Sequence, residues 1–211
     1  MNVILVNGSP HASGCTYTAL EEVAKTLNSE GIETQVFQIG VKPLTGCIAC
    51  KACAKIGRCT FSDRVNDFLD LAKEADGFIF GSPVHYAAAG GAITSFMDRA
   101  FYADLLAGRQ SFYLKPAAAV VSARRAGTTA TFDQLNKYFT ISEMPVISSR
   151  YWNMVHGATP EEVKKDLEGL QTMRVLARNM AWFLRCKEAG IKADIQFPER
   201  EETVFTNFIR D

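Results

Sequence analysis

The sequence predicts a doubly wound α/β domain with five parallel strands in the order 2-1-3-4-5. Short apolar runs alternate with longer segments of helical periodicity, the pattern of a parallel sheet covered on both faces. The third run, Gly77-Phe78-Ile79-Phe80-Gly81, is apolar throughout, as expected of a strand buried on two sides. The loops after the first, third and fourth strands hold the residues suited to binding, and in such sheets ligands sit outside the carboxyl ends of the strands.

The first strand, Val3 to Val6, passes through Asn7-Gly8-Ser9-Pro10 into a helix read from Tyr17 to Leu27. Free N–H groups and the positive end of the helix dipole make this turn an anion site, to which Ser9, Ser13 and Thr16 can add hydroxyls. An NTP-binding loop needs Lys directly after its second Gly, but Cys15 follows Gly14. A dinucleotide loop needs Gly two places after Gly8, where Pro10 stands. Two readings remain, a phosphate monoester held without lysine and an ordinary strand-to-helix turn.

Gly31 stops the helix, and Thr34 to Ile39 alternates as a second strand. Residues 41–61 hold two Gly, one Pro and four Cys with no sustained apolar period, and read as a long functional loop. Helix resumes behind Ser62 as N-cap, through Val65, Phe68, Leu69 and Ala72. The third strand leads into Ser82-Pro83-Val84-His85-Tyr86 and a small-residue tract, Ala87 to Ala92, before a helix bearing Ile93, Phe96, Met97 and Phe101. A fourth strand, Ala117 to Ser122, opens into Ala123-Arg124-Arg125-Ala126-Gly127-Thr128-Thr129, and a helix follows from about Phe132 to Phe139. The fifth strand is expected at Pro145 to Ser148. The last helix is expected from Pro160 to about Ala189, with Pro in its first turn and Gly190 at its end.

A chain of 211 residues suits one domain. Its 23 basic and 23 acidic residues are interspersed, which leaves no electrostatic footprint for nucleic acid or an anionic membrane. No apolar run is long enough to span a bilayer and no basic leader is visible, so a cytoplasmic protein is expected. The domain is expected to close near residue 190. Beyond it, 191–211 carries Ile195, Phe197, Val204, Phe205, Phe208 and Ile209, which suits either an arm on another subunit or a tail folded back on its own chain.

Four of the six cysteines form the run Cys47-x2-Cys50-x2-Cys53-x5-Cys59. In a reducing compartment such clustering points to metal or redox chemistry, not to disulfides. Thiolates at x2 intervals can ligate adjacent irons of one cubane, although the bacterial ferredoxin run has x3 and a following Pro where Thr60 stands here. A single zinc and free thiols are the other readings. Cys15 at a helix start resembles a phosphatase nucleophile, but residues 16–24 lack the Arg that mechanism requires. His156 reads as structural, and Cys186, Met173, Met180, Trp182 and Phe183 as core or subunit interface.

Gly8-Ser9-Pro10 with Gly14 and Thr16, then Gly81-Ser82-Pro83-Val84-His85-Tyr86, then the cysteine loop, resemble the NAD(P)H-dependent FMN reductases of the flavodoxin superfamily. The chain is most similar to the iron–sulfur flavoproteins, which add a compact cysteine motif between strand 2 and helix 2. The resemblance spans residues 1 to about 190. It implies a flavodoxin-like fold with FMN as cofactor and a [4Fe–4S] cluster on Cys47, Cys50, Cys53 and Cys59. Ser9, His11, Ser13, Gly14, Cys15 and Thr16 would surround the FMN phosphate, although the family usually has Asn where Cys15 stands. Pro83, Val84, His85 and Tyr86 would line the isoalloxazine ring.

Pro83 stiffens its turn, Tyr86 offers a face for stacking, and small residues let the backbone approach a flat ring. Ser122, Arg124, Gly127 and Thr128 fall on the same rim, where Arg124 suits the N1–C2=O edge of a flavin or the phosphate of a nicotinamide nucleotide. The implied enzyme takes hydride from NAD(P)H and passes electrons to a ferredoxin-like partner or a small acceptor such as a quinone or nitro compound. A homodimer or homotetramer is expected. Two other readings are a flavodoxin-type electron carrier, against which the neutral charge counts, and a thiol or zinc sensor on the same fold.

Overall fold

The computed structural model describes residues 1–206 and 208. Ile209 lies outside the described residues. Strand β1 (Asn2–Asn7) enters helix α1 (Cys15–Ser29), which ends where Gly31 takes a left-handed φ of 75° and the Ile32 N–H returns to the Leu27 carbonyl. Then come β2 (Glu33–Gln38), a one-turn helix α2 (Cys53–Ile56) inside the cysteine loop, and α3 (Arg64–Glu74). Strand β3 (Gly77–His85) continues past the sheet into a hairpin with β4 (Ala88–Ala89), followed by α4 (Gly91–Leu106), β5 (Ala117–Ala123) and α5 (Thr128–Ile141). The chain finishes through β6 (Met154–His156), α6 (Pro160–Val163) and α7 (Leu167–Lys192).

The five parallel strands lie in the order β2-β1-β3-β5-β6, and β4 pairs antiparallel with the end of β3. Without the hairpin strand this is the expected 2-1-3-4-5. Alternate residues feed two apolar layers: Ile4, Val6, Phe78 and Phe80 face α3, α4 and α5, while Val3, Leu5, Ile79 and Val120 face α1 and α7. Strand β5 is alanine-rich because its neighbour is not. Phe78 pairs in register with Ala117 and Phe80 with Ala119, so small side chains leave room for the phenylalanine cluster around Phe68. Among the described residues no helix is long and apolar enough to cross a membrane.

Four expectations are corrected. Pro145–Ser148 is not the fifth strand: it touches the sheet through one bridge, Val146 to Ala117, and the ladder resumes at Met154–His156. The Ser148–Trp152 excursion interrupts an edge strand that has only one neighbour to hold it. The α3 N-cap is Asp63, whose carboxylate accepts the Val65 N–H, and not Ser62. The helix expected from Pro160 is two helices, broken where Asp166 leaves helical geometry and accepts the Gly169 N–H as the cap of α7. Helix α7 also runs through Gly190, and its left-handed terminator is Asp194 (φ 58°), after which the Ile195 N–H closes on the Gly190 carbonyl. Past α7, Ile195, Phe197, Val204, Phe205 and Phe208 are exposed.

Candidate functional site

The carboxyl ends of β1, β3 and β5 and the start of α1 meet at one rim. Buried Asn7 ends β1 and ties the following loop: its side-chain Oδ1 accepts the Ser9 N–H at 3.1 Å, and its Nδ2 donates to the His11 carbonyl at 3.2 Å and to Gln38 Oε1 at 2.6 Å. Gln38, at the end of β2, donates to the Ser9 carbonyl at 2.7 Å, and Ser9 Oγ accepts the His11 N–H at 3.1 Å. The loop is thereby fixed by side chains from two adjacent strands. Sequence reasoning missed Asn7 and Gln38. Their signal was a polar residue at the carboxyl end of each of two neighbouring strands. Asn7→Ala leaves the Ser9 N–H unpaired and is expected to cost about 1–3 kcal/mol in urea denaturation, with faster amide exchange at Ser9.

Helix α1 starts on this loop with Gly14 as its N-cap, no side-chain cap and no acidic residue in its first turn. Its first N–H groups therefore point at the loop without a side-chain acceptor, which is the arrangement an anion completes. Glycine is required beneath it, because a Cβ at Gly8 would lie 2.6 Å from the Gly81 carbonyl oxygen and 2.8 Å from Ile93 Cβ. His11 and Ser13 are exposed over the loop. Cys15 turns away: its Sγ meets the Gly157 carbonyl at 3.6 Å, and burial pushes its thiol up, so only its backbone faces the loop.

Thr16 and Ser122 join hydroxyls at 2.8 Å, both buried, which links α1 to the end of β5. Gly127, left-handed at φ 91°, lies against Val84, and a Cβ there would sit 2.8 Å from Val84 Cγ1. The Ser82 hydroxyl donates to the Pro83 carbonyl at 2.8 Å and accepts the Gly90 N–H at 3.3 Å, closing the hairpin. Tyr86 at its tip is left-handed (φ 60°) and fully exposed, with His85 exposed beside it. Arg124 and Arg125 are exposed on the same rim, without ion-pair partners among the described residues. The loop, the hairpin and the 122–128 turn thus form one surface. His156 stands apart, its N–H held at 2.7 Å by Asp166.

The cysteine loop packs beside α4. Cys47, Cys50, Cys53 and Cys59 line one small cavity with Phe61, Arg99 and Tyr102. Cys53 is buried at the start of α2, and burial followed by the nearby Cys50 and Cys59 pushes its thiol up. Ala49 (φ 52°) and Lys51 (φ 56°) hold Cys50 between two left-handed residues. Cys59 is clamped by Asn66, which accepts its N–H at 3.0 Å and donates to its carbonyl at 2.9 Å and to that of Phe61 at 2.8 Å. Its sulfur accepts two N–H groups of Arg99. Among the described residues, no three or more His, Cys, Asp or Glu converge on a point suited to one metal ion. A cubane, by contrast, takes each thiolate on a different iron and needs no such convergence. On the outer side of the loop a cavity of about 480 Å³, lined by Cys47, Phe101, Tyr102, Tyr113 and Tyr138, lies away from the rim.

A model of the NADPH-dependent FMN reductase family matches residues 1–159. An iron–sulfur flavoprotein from Methanocaldococcus jannaschii is 33% identical over 190 residues, covering 86% of this chain and 96% of that protein. Among solved structures, RosB with bound 8-demethyl-8-formylriboflavin-5′-phosphate superposes with a TM-score of 0.69 at 16% identity, over 100% of this chain and 95% of that one. A flavodoxin from the domain Archaea superposes with a TM-score of 0.58 at 17% identity, over 88% and 99%. At these identities the two structures speak to the fold alone.

Proposed function

The chain belongs to the NADPH-dependent FMN reductase family and is an FMN-dependent oxidoreductase; on that premise we propose that a reduced nicotinamide nucleotide supplies its electrons and that a [4Fe–4S] cluster on Cys47, Cys50, Cys53 and Cys59 carries them onward. The observation that carries this reading is the placement of α4. Its first residue, Gly91, adjoins the hairpin, and its second turn lies against the cysteine loop, where a Cβ at Gly46 would be 3.8 Å from Ser95 Oγ. Arg99 is eight residues beyond Gly91, about 12 Å along the axis at the usual rise.

The residues present fit the cofactor. The uncapped start of α1 and the Ser9 to Thr16 loop would hold its phosphate, with the Thr16–Ser122 pair fixing the floor. Pro83, Val84, His85 and Tyr86 would line the ring, where the exposed Tyr86 presents a stacking face. Arg124, Gly127 and Thr128 would close the rim, Arg124 offering its charge to the ring edge or to the incoming nucleotide. FMN, when bound, would accept one hydride, that is two electrons, and release them singly or as a pair. The chain's task is binding and orientation, and no side-chain acid or base is required. Exposed Phe197, Val204, Phe205 and Phe208 support an assembly of two or four chains that covers the C-terminal extension.

The test is the visible spectrum of anaerobically purified protein before and after NADPH, with iron and acid-labile sulfide assayed on the same sample and its size read on a calibrated column. Flavin bands that bleach with NADPH, about four irons per chain and an oligomer are expected. Flavin without iron would remove the cluster, and flavin that NADPH leaves oxidised would make the protein a carrier of the flavodoxin type. A monomer would remove the assembly.

A further inference from the structure

Arg99 is the bulkiest side chain among the fully buried residues, 1% exposed, on a helix face otherwise built from Phe96, Met97, Ala100 and Phe101. All five of its N–H groups are engaged. Nε and Nη2 each donate to Cys59 Sγ at 3.3 Å. Nη1 and Nη2 donate to the two Asp63 carboxylate oxygens at 2.7 and 2.9 Å, and Nη1 also reaches the Thr45 carbonyl at 3.4 Å. The guanidinium lies over the Phe61 ring, 4.8 Å from its centre. One edge of the fork thus grips a carboxylate and the other grips a sulfur.

Burying a guanidinium costs several kcal/mol unless it is paired and its donors are satisfied. Asp63 supplies the charge. The sulfur receives two of five donors, although a thiol is a weak acceptor. Metal-bound sulfur, which carries negative charge, matches that arrangement far better. Asn66 fixes the backbone of the same cysteine, while Cys47 and Cys50 are exposed. Cys53 is held by burial, and Cys59 is the member of the set held by side-chain hydrogen bonds.

We propose that Arg99 is the positioning residue of the cysteine loop: it holds the Cys59 sulfur ready for metal and, with Asp63 as its counter-ion, sets the electrostatic field that tunes a cluster bound there. The proposal rests on the cluster reading above. Hydrogen bonds to the sulfurs and local charge are two of the settings of an iron–sulfur potential, and outer partners of metal ligands typically govern affinity by tenfold or more. The positive guanidinium beside the sulfur favours the reduced cluster, and the Asp63 carboxylate opposes it. The two residues should act with opposite sign.

The experiment compares Arg99→Gln, Arg99→Lys and Asp63→Asn in the full chain. Asn is as good an N-cap as Asp, so Asp63→Asn keeps α3 capped, and in iron-loaded protein the negative charge on the Cys59 sulfur remains to pair Arg99. In iron-loaded protein, midpoint titration should show Arg99→Gln lowering the one-electron reduction constant about tenfold, about 59 mV. Asp63→Asn should raise it, and Arg99→Lys should fall between wild type and Arg99→Gln. Equal potentials in all of them, or shifts of one sign, would overturn the proposal. Should Arg99→Gln fail to fold, the sign of the Asp63→Asn shift decides. Should the wild type hold no cluster, the reading above fails on its own, and Cd²⁺ titration of the metal-free proteins decides the positioning role. Arg99→Gln is then expected to bind Cd²⁺ at least tenfold more weakly, and unchanged affinity would overturn it.

Discussion

Gly8→Ala is expected to weaken FMN binding about a hundredfold, read by titrating the apoprotein with FMN and following flavin fluorescence. The added methyl would meet the Gly81 carbonyl at 2.6 Å, a contact no real Cβ makes, and Ile93 Cβ at 2.8 Å. Neither can yield. Gly81 sits in the middle of the sheet, paired with Asn7 on one side and Val120 on the other, and Ile93 is fully buried on the first turn of α4. The loop must move instead, and the hydrogen bond from the Gly8 N–H to that same carbonyl, at 2.8 Å, is lost. Overpacking of this kind costs about 1–3 kcal/mol of stability. Shifting the start of α1 also misaligns charge-assisted bonds worth about 1.5–3 kcal/mol each, and two of these suffice for the expected loss. Gly14→Ala is the milder comparison. Its Cβ would meet His11 alone, at 3.0 Å from that residue's Cβ, on an exposed stretch of loop that need give by only a few tenths of an ångström, so affinity should fall less than about tenfold. Equal losses in the two variants would place the phosphate elsewhere.

Cys53→Ala is expected to take iron from about four atoms per chain to below one while leaving flavin content unchanged, by metal and flavin assay on one sample. Cys53 is the one cysteine of the four that is buried, at 7% exposure, and the only buried residue of α2. A four-residue helix has no stability of its own. Its place depends on what the Cys53 side chain packs against and binds. Removing iron from the wild type with a chelator should therefore loosen residues 47–59 in hydrogen exchange to the level of Cys53→Ala, and the strands at the rim should not respond. A variant that kept all of its iron would show that Cys53 is not a ligand.

The layers of this protein were legible because β1, β3 and β5 run as continuous apolar segments and β2 alternates, and the turn after β1 was legible because its small residues admit few alternatives. The fifth strand was misplaced for a physical reason. Pro145-Val146-Ile147 is the more apolar segment and does touch β5 through one bridge, whereas Met154-Val155-His156 is short and half polar and is chosen by register with Val121 to Ala123. Ser62 and Asp63 are equally good caps in sequence. Asp63 is selected because its carboxylate serves Val65 and Arg99 at once. Arg99 itself was invisible, since an arginine on a helix reads as a solvated residue until its partners are known. Asn7 and Gln38 were hidden likewise, as the polar ends of strands. That the loops after β1, β3 and β5 share one rim was legible from loop position, and the residues that support it were not, because their chemistry appears only when distant segments meet.

Helix α4 runs unbroken from the hairpin to the cysteine loop, and that continuity makes it both a ruler and a dial. One residue inserted between Gly91 and Arg99 would lengthen the separation by only about 1.5 Å but would turn the arginine by about 100°, away from Cys59 and Asp63. Chain length in this stretch is thus under far tighter constraint than in the loop it faces. Residues 41–52 carry no helix or strand, and they can absorb an added residue without redirecting any side chain on α4.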